Sequence, residues 1–442
     1  MIPAKFISDC ANAKIELGRA SVEVMAGGET LHGEGSAFLR FLPSECVVVS
    51  VELPEQVNDL RLLSGPLKLR FGEQKQSVPV IAIKTSGLLA APLRADLVPS
   101  GGRFVFYRDG RVRLRKLVFH VLNFPEFYSI GKGAQGTDVF HQQDGAGTRL
   151  GRAILTDSDW TIELCALRQT SELVKQLRAE GGSAITHVGT LRRTNGRSFS
   201  IREADRALAG LHDFLSFARG QWTSIFGLVG TDIAGKTVYE DWSIRLSAPW
   251  SQPLRWFDAH HGQMLGSVYS GFSGLRHDNH LGRAVSQAIY WYLRSNRSGD
   301  GPGVDGGLLL SQAALERLAL GYLRKQGLSE RGPAGELIGR ALTSLSIPTG
   351  IPKETPNLRA AKRRQGWKTA PHAIVDVRNE LVHPNNRLKV QLRPLLFESW
   401  QLAQWYVELI ILRLSGYDGE YSNRLKRRWV GQTEPVPWAP RK

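Results

Sequence analysis

The stretch VDVRNELVHP, residues 375–384, brings together residue types that can cleave a phosphodiester. Arg378 and Asn379 are adjacent, and His383 follows five positions after the arginine. A histidine titrates near neutral pH and can move a proton to or from a ribose 2′-hydroxyl or a leaving 5′-oxygen, while an arginine stabilises a pentavalent phosphate. Asn379 can hold the phosphate or orient His383. This chemistry suits RNA, and it needs no metal and no cofactor.

The spacing of the pair has little specificity by itself. Arg115 with His120 and Arg255 with His260 show the same separation. Five positions on an ideal helix correspond to about 140° of rotation, so two such side chains diverge unless the last turn unwinds or a second subunit completes the site. Because Pro384 disfavours helical geometry at the residue before it, the sequence predicts His383 at a helix end.

A basic segment, LRAAKRRQGWK, precedes this motif by a few residues. The net charge of the chain is +16, and residues 281–442 carry 25 Lys and Arg against 13 Asp and Glu, which is +12 of that total. Such an excess attracts nucleic acid through its phosphates. We expect four cations and one aromatic ring to bind RNA, with the ring stacking on a base: Lys362, Arg363, Arg364, Lys368 and Trp367. The alternative is an exposed charged loop.

The elements that must position these residues divide the chain in two. Short β-like segments such as CVVVSVEL, LKLRF and WTIELCAL fill the front half, and RVRLRKLVFHV alternates so that one basic face would meet solvent. Asn195 and Gly196 favour a tight hairpin turn. Ser200 and Glu203 form a capping box that starts a helix. We therefore predict a β-rich module over residues 1–278.

The last third has helical periodicity. LGRAVSQAIYWYLRSN, LLLSQAALERLALGYL, AGELIGRALTSL, AIVDVRNELVH and LLFESWQLAQWYVELIILRLSG have apolar residues at spacings of three and four. PKETPNLRAAKRRQGWK is predicted as a polar connection. The fold class is therefore α+β, with a β-rich module followed by an all-helical bundle over residues 279–442.

Composition and missing motifs narrow the function classes. Three widely separated cysteines indicate neither a disulfide framework nor a zinc site, and the first residues do not resemble a secretion signal. WYVELIILRL is interrupted by Glu408 and Arg413 and is shorter than the ~20 residues of a membrane helix. Phosphate-loop, zinc-protease, serine-hydrolase and kinase motifs are missing. We expect a cytoplasmic protein that does not bind membranes.

RNELVHP resembles the R-[NHD]-x-x-x-H form of the R-x4-6-H motif of HEPN domains, which are helical bundles that often act as ribonucleases. The resemblance covers roughly residues 280–425. A β-rich front half with a HEPN-like end is similar to Apea-like anti-phage proteins. The resemblance implies that Arg378, Asn379 and His383 are catalytic residues, often paired across a homodimer of the helical domain. It also implies RNA as the substrate, tRNA among the candidates.

These features lead to one main hypothesis and two alternatives. The main hypothesis is a metal-independent endoribonuclease in anti-phage defence or a toxin-like role, with a phage-derived or protein trigger bound by the front module. The first alternative is a catalytically inactive nucleic-acid-binding or protein-interaction adaptor. In the second, a structural or interaction protein, the β module recognises a partner and the bundle only oligomerises. In a structural interpretation of the motif, Arg378 caps backbone carbonyls or pairs near Glu380, and His383 interacts with the helix dipole.

Overall fold

The fold is α+β, as predicted, with strands in the front half and helices after them. The computed structural model describes residues 4–53, 65–72, 77–86, 92–101, 104–107, 112–128, 139–143, 149–297, 301–383, 388–426 and 429–440. Pro384, which the sequence analysis used to predict the helix end, lies outside the described residues.

The first β unit is a closed barrel of antiparallel strands in the order β1-β2-β3-β6-β5-β4. The strands are β1 Ile15–Ala26, β2 Glu29–Arg40, β3 Cys46–Leu53, β4 Leu67–Phe71, β5 Val78–Ser86 and β6 Leu93–Pro99. Inward and outward side chains alternate, so that in β4 Leu67 and Leu69 are buried and Lys68 is exposed. Pairing of Phe71 with Val22 joins β4 to β1 and completes the ring.

The second β unit is an eight-stranded antiparallel sheet with the order β10-β11-β12-β13-β9-β15-β16-β7. Its strands are β7 Val105–Tyr107, β9 Lys116–Leu122, β10 Val139–Gln143, β11 Arg149–Thr156, β12 Trp160–Ala166, β13 Ile185–Arg193, β15 Ile225–Thr231 and β16 Thr237–Asp241. A separate short pair consists of β8 Arg113–Leu114 and β14 Phe199–Ser200.

The predicted basic face of RVRLRKLVFHV is confirmed at Arg113 and Arg115, which are exposed while Leu114 and Leu117 are buried, and Arg111 lies outside the described residues. The alternation ends there, since every residue from Leu117 to Leu122 is buried. The reason is that β9 lies inside the sheet between β13 and β15, and both of its faces are covered.

Two helices belong to the second β unit, α1 Thr170–Glu180 and α2 Ile201–Arg219. The predicted capping box is confirmed, because the Ser200 hydroxyl accepts from the Glu203 amide and the Glu203 carboxylate accepts from the Ser200 amide. The predicted hairpin at Asn195 and Gly196 is wrong. The chain does turn there, but β14 pairs with β8 instead of folding back on β13.

The remaining helices form a bundle around a central one. They are α3 Gln263–His277, α4 Gly282–Ser295, α5 Gly303–Lys325, α6 Ala334–Ser344, α7 Pro356–Gln365, α8 Ala370–Val382 and α9 Arg393–Leu414. A short pair, β17 Glu420–Tyr421 and β18 Glu434–Pro435, follows. Helix α9 is buried over most of its length, as predicted for WYVELIILRL, because it packs against α3, α4, α5, α7 and α8. None of the described helices has the length and apolar character needed to cross a membrane.

The segment predicted as a polar connection contains helix α7. Pro356 occupies the first turn, where its missing amide hydrogen costs nothing, and Ala, Lys and Arg favour a helix. Gly366 ends the helix in the left-handed conformation, with φ of 74°. The alternative of a charged loop at residues 358–365 is therefore also wrong.

The hydrophobic core runs across the predicted boundary at residue 278. Phe217 of α2 contacts Tyr292 of α4 across this boundary, with ring centroids 5.7 Å apart. On the front side of it, Phe214 of α2 contacts Tyr269 and Phe272 of α3, with ring centroids 5.2 Å apart in both pairs. The eight-stranded sheet and the bundle thus share one core, whereas the barrel is built around a second cluster.

A fully buried ion pair joins the C-terminal segment to the bundle. Arg424 and Glu408 have no exposed side-chain surface, and Arg424 Nη2 lies 2.8 Å from Glu408 Oε1. The Tyr292 hydroxyl donates to the same carboxylate at 2.6 Å. Burial raises the pKa of Glu408, and the Arg424 guanidinium opposes that rise. The pair therefore links α9, α4 and the residues after α9.

Candidate functional site at the end of helix α8

Arg378, Asn379 and His383 lie in the last turn and C-cap of α8. Helix α8 ends at Val382, and His383 adopts φ of −129° and ψ of 84°. The predicted position of His383 at a helix end is therefore confirmed. Arg378 and Asn379 are half-buried, whereas His383 is exposed. The departure from helical geometry frees His383 from the orientation that an ideal helix would impose on it.

Asn379 connects the other two residues. Its side-chain oxygen accepts a hydrogen bond from Arg378 Nη1 at 3.1 Å. Its backbone carbonyl accepts from the His383 amide at 2.7 Å. The asparagine therefore fixes the guanidinium on one side and the backbone of the histidine on the other. The sequence analysis expected it to orient His383, and this contact acts on the backbone of that residue.

Most N–H donors of the Arg378 guanidinium make no hydrogen bond within the described residues. Among the described residues, Arg378 has no carboxylate within ion-pair distance and makes one side-chain hydrogen bond, which is to Asn379. Its Nε is buried and has no hydrogen-bond partner in the same part of the chain. A guanidinium has five donors and normally satisfies them when buried. Arg378 is therefore a cation with donors available to an anion.

The expected RNA-binding residues lie on α7 and just after it. Lys362, Arg363, Arg364 and Lys368 are exposed. Arg359, which the sequence analysis did not single out, is also exposed on α7 and stands three and four positions before Lys362 and Arg363. Side chains at these spacings share a helix face, so the face carries a run of positive charge.

Trp367 does not have the role that the sequence analysis gave it. Its side chain is 4% exposed, and its indole N–H donates to Asp376 Oδ2 at 2.7 Å. A base cannot stack on a ring that is packed into the core, so the expectation of a stacking tryptophan is wrong. The polar flanks of Trp367 gave no sign of this burial.

The hydrogen bond from Trp367 to Asp376 connects the segment after α7 to the middle of α8, and thereby relates the basic face of α7 to the C-terminal end of α8. Asp376 stands seven residues before His383, which is about 10 Å along a helix axis. Asp376 could not be predicted as a partner of Trp367, because a lone exposed carboxylate on a helix carries no signal of such a contact.

Two segments of the chain match family models. Residues 278–435 match the YopA C-terminal domain, and residues 109–253 match the YopA central domain. The SPbeta prophage-derived uncharacterized protein YopA of Bacillus subtilis (strain 168) is 29% identical over 301 residues, which are 66% of this chain and 67% of that protein. No solved structure matches. Helices α7 and α8 lie within the C-terminal match, and the similarity brings no activity with it.

Proposed function

We propose that this protein is a HEPN-type endoribonuclease that cleaves RNA without a metal ion, with Arg378, Asn379 and His383 as its catalytic residues. The single observation that carries the proposal is the series of contacts through Asn379, which joins a guanidinium with no carboxylate partner among the described residues to the exposed end of α8. The prophage origin of the YopA relative fits a role in conflict between phage and host. A phage-derived or protein trigger would then bind the β-rich front module.

The proposed reaction is an internal attack within the RNA. The ribose 2′-oxygen loses a proton and bonds to the adjacent phosphorus, the bond to the 5′-oxygen breaks, and that oxygen gains a proton. The products are a 2′,3′-cyclic phosphate and a 5′-hydroxyl. His383 moves the proton, and Arg378 stabilises the charge of the pentavalent phosphate. Asn379 keeps the guanidinium in place. DNA has no 2′-hydroxyl and is not a substrate.

The basic face of α7 supports RNA as the substrate. Lys362, Arg363, Arg364 and Lys368 add four exposed positive charges in the segment that immediately precedes α8. Single-stranded RNA binds along such cationic tracks through its phosphates. Asp376, which bonds to Trp367 just after α7, stands about 10 Å before His383 along the helix axis. A strand of a few nucleotides is long enough to span this distance.

The decisive experiment compares the ends of RNA fragments. Wild-type protein, Arg378→Ala and His383→Ala are each incubated with a total RNA pool in excess chelator. We expect 2′,3′-cyclic phosphate ends with the wild-type protein, and a rate lower by ~10²–10⁴-fold without His383. His280→Ala is the matched control, because it removes another exposed histidine of the helical region. No cleavage by wild-type protein, or equal cleavage by all variants, contradicts the proposal.

A catalytically inactive RNA-binding adaptor is the second candidate, and the exposed cations of α7 favour it. An adaptor binds RNA with an affinity that falls steeply with salt and cleaves none of it. Binding without cleavage in the wild-type protein would select this candidate over the nuclease.

We also propose that the helical domain forms a homodimer that places two copies of the site near each other. Val382, at the end of α8, is 40% exposed, and Phe397, in the first turns of α9, is 55% exposed. A second copy would cover these apolar side chains. Phe397→Asp should shift the mass measured by light scattering from dimer to monomer, with Leu328→Asp, another exposed apolar position, as the control. A monomeric wild-type protein contradicts the dimer.

A further inference from the structure

We infer that a cavity between α2 and α3 binds a mononucleotide, with the base inside and the phosphate at the rim. The cavity has a volume of about 250 Å³ and is closed on its third side by the turn after β11. Binding pockets for drug-sized ligands occupy roughly 300–1,000 Å³, so this cavity suits one planar ring. The site is separate from the end of α8 and does not depend on the proposed nuclease activity.

Aromatic side chains form one wall of the cavity. Trp160, Tyr269 and Phe272 line it, and each also packs on a buried ring outside the cavity. Trp160 contacts Phe199 with centroids 5.0 Å apart, and both Tyr269 and Phe272 contact Phe214. These contacts fix the wall before any ligand binds. A preformed apolar wall favours a flat ring, because little ordering is needed on binding.

Small residues of α2 keep the opposite wall open. Ala207 and Gly210 line the cavity. A Cβ atom added at Gly210 would have its nearest neighbour, Arg276 Nε, at 3.9 Å. The space over Gly210 is therefore empty, and a side chain introduced there would enter the cavity without striking the backbone.

The Tyr269 hydroxyl is the polar group available inside. Tyr269 is 3% exposed, and its hydroxyl has no hydrogen-bond partner in the described part of the chain. Burial raises the pKa of Tyr269, with a further contribution from the Asp157 carboxylate that lines the same cavity. Asp157 itself is occupied by the amides of Asp159 and Trp160 and by the Ser273 hydroxyl. Because the Tyr269 hydroxyl makes no hydrogen bond within the described residues, it is available to donate to or accept from a base in the cavity.

Cations surround the opening. Arg206 lines the cavity, is exposed, and has no ion pair among the described residues. Arg276 also lines it and pairs with Asp213. His277, exposed at the end of α3, adds a third group that can carry positive charge. A phosphate attached to the bound ring would meet the free guanidinium of Arg206 at the rim.

Titration calorimetry on the full chain tests the inference. The probes are AMP, GMP, CMP, UMP, adenosine and inorganic phosphate. Gly210→Leu fills the cavity, and Gly339→Leu is the matched control, since Gly339 is a helix glycine with nothing within 4 Å of an added Cβ. Tyr269→Phe removes only the hydroxyl, and Arg206→Gln removes only the free charge. Thermal unfolding of each variant checks that it is folded.

We expect at least one mononucleotide to bind to the wild-type protein and to Gly339→Leu, and none to bind to Gly210→Leu. Tyr269→Phe should weaken binding by about fivefold, as for loss of one hydrogen bond. Arg206→Gln should weaken the mononucleotide and leave adenosine unchanged. The inference is overturned if no mononucleotide binds to the wild-type protein, if binding survives in Gly210→Leu, or if phosphate alone binds as well as the nucleotide.

Discussion

Arg424 and Arg378 lie in the same helical region and differ in how their donors are used. Arg424 is fully buried, and its guanidinium contacts Glu408, the Tyr292 hydroxyl and the Leu254 carbonyl. Arg378 is half-buried, and among the described residues its side chain bonds to Asn379 alone. The first arginine is surrounded by acceptors, whereas the second has one acceptor among the described residues and lies five positions before an exposed histidine.

This difference separates an arginine that stabilises the fold from one that is available to a substrate. Removing the carboxylate partner of a buried cation is strongly destabilising, so Glu408 is expected to stabilise the fold through Arg424. A half-buried cation with free donors is tolerated, because water reaches it. Arg378 can therefore exchange water for a phosphate, which Arg424 cannot do. The comparison predicts that the two sites respond differently to mutation.

The largest effect is expected from removing the carboxylate of the buried pair. Glu408→Ala leaves Arg424 buried and uncompensated, which should lower the free energy of unfolding by about 3–5 kcal/mol. Urea denaturation followed by circular dichroism measures this change. Glu330→Gln is the control: it removes the exposed partner of Arg324 and should leave the free energy of unfolding nearly unchanged. Equal stability of Glu408→Ala and wild-type protein would show that the buried pair does not stabilise the fold.

Exchanging arginine for lysine at both positions sharpens the comparison. Arg424→Lys keeps the charge but loses the planar fork that reaches several acceptors, so we expect a loss of roughly 2–3 kcal/mol of stability. Arg378→Lys should change stability by less than about 0.5 kcal/mol, as for a surface position, yet reduce RNA cleavage. Stability and cleavage are measured on the same preparations. A marked loss of stability in Arg378→Lys would mean that this arginine is structural.

The sequence predicted the helices whose apolar residues recur at regular spacing, and it missed α3. Helix α3, QMLGSVYSGFSGLRH, contains three glycines and three serines, which are poor helix formers. Tertiary packing explains one of them: a Cβ at Gly271 would lie 1.8 Å from the Ser415 carbonyl oxygen, so only glycine allows α3 to approach the end of α9. A contact between residues so far apart in the chain leaves no local pattern.

At the candidate site, too, only the features set by neighbouring residues could be predicted from the sequence. The end of α8 was predictable, because Pro384 restricts the residue before it. The burial of Trp367 was not, because it depends on Asp376, which α8 brings to the indole only in the folded chain. Of the two contacts of Asn379, the one with Arg378 could be predicted, because the two residues are adjacent in the chain. The hydrogen bond from the His383 amide could not, because it requires the helical turn.

Three buried histidines give the protein a pH dependence of stability. Burial lowers the pKa of His120 to about 4, of His187 to about 3 and of His212 to about 4, from an ordinary value of 6.5. Between pH 6.5 and pH 4 the unfolded chain therefore binds more protons than the folded one. The stabilisation from the neutral buried histidines is complete above pH 6.5. As the pH decreases below 6.5, the free energy of unfolding decreases by about 1 kcal/mol per pH unit for each histidine.

Urea denaturation at pH 7, 6 and 5 measures this slope. His120→Gln can keep the contacts of the ring with the Phe6 amide and the Gly227 carbonyl while removing the titration. We expect its slope to be about one third smaller than that of the wild-type protein. If His120→Gln and the wild-type protein lost stability equally between pH 7 and pH 5, groups other than His120 would be responsible.

The smallest expected effect concerns the basic face of α7, where each cation contributes little alone. Lys362→Gln combined with Arg363→Gln should reduce the slope of log affinity against log salt by about 1.4, because each contact with a single-strand phosphate contributes ~0.7. The control carries the same charge change at Arg197 and Arg202, two exposed cations near the start of α2. Fluorescence anisotropy with a labelled single-stranded RNA measures both slopes. Equal reductions in the two double variants would mean that RNA responds to net charge, and α7 would lose its specific role beside Arg378.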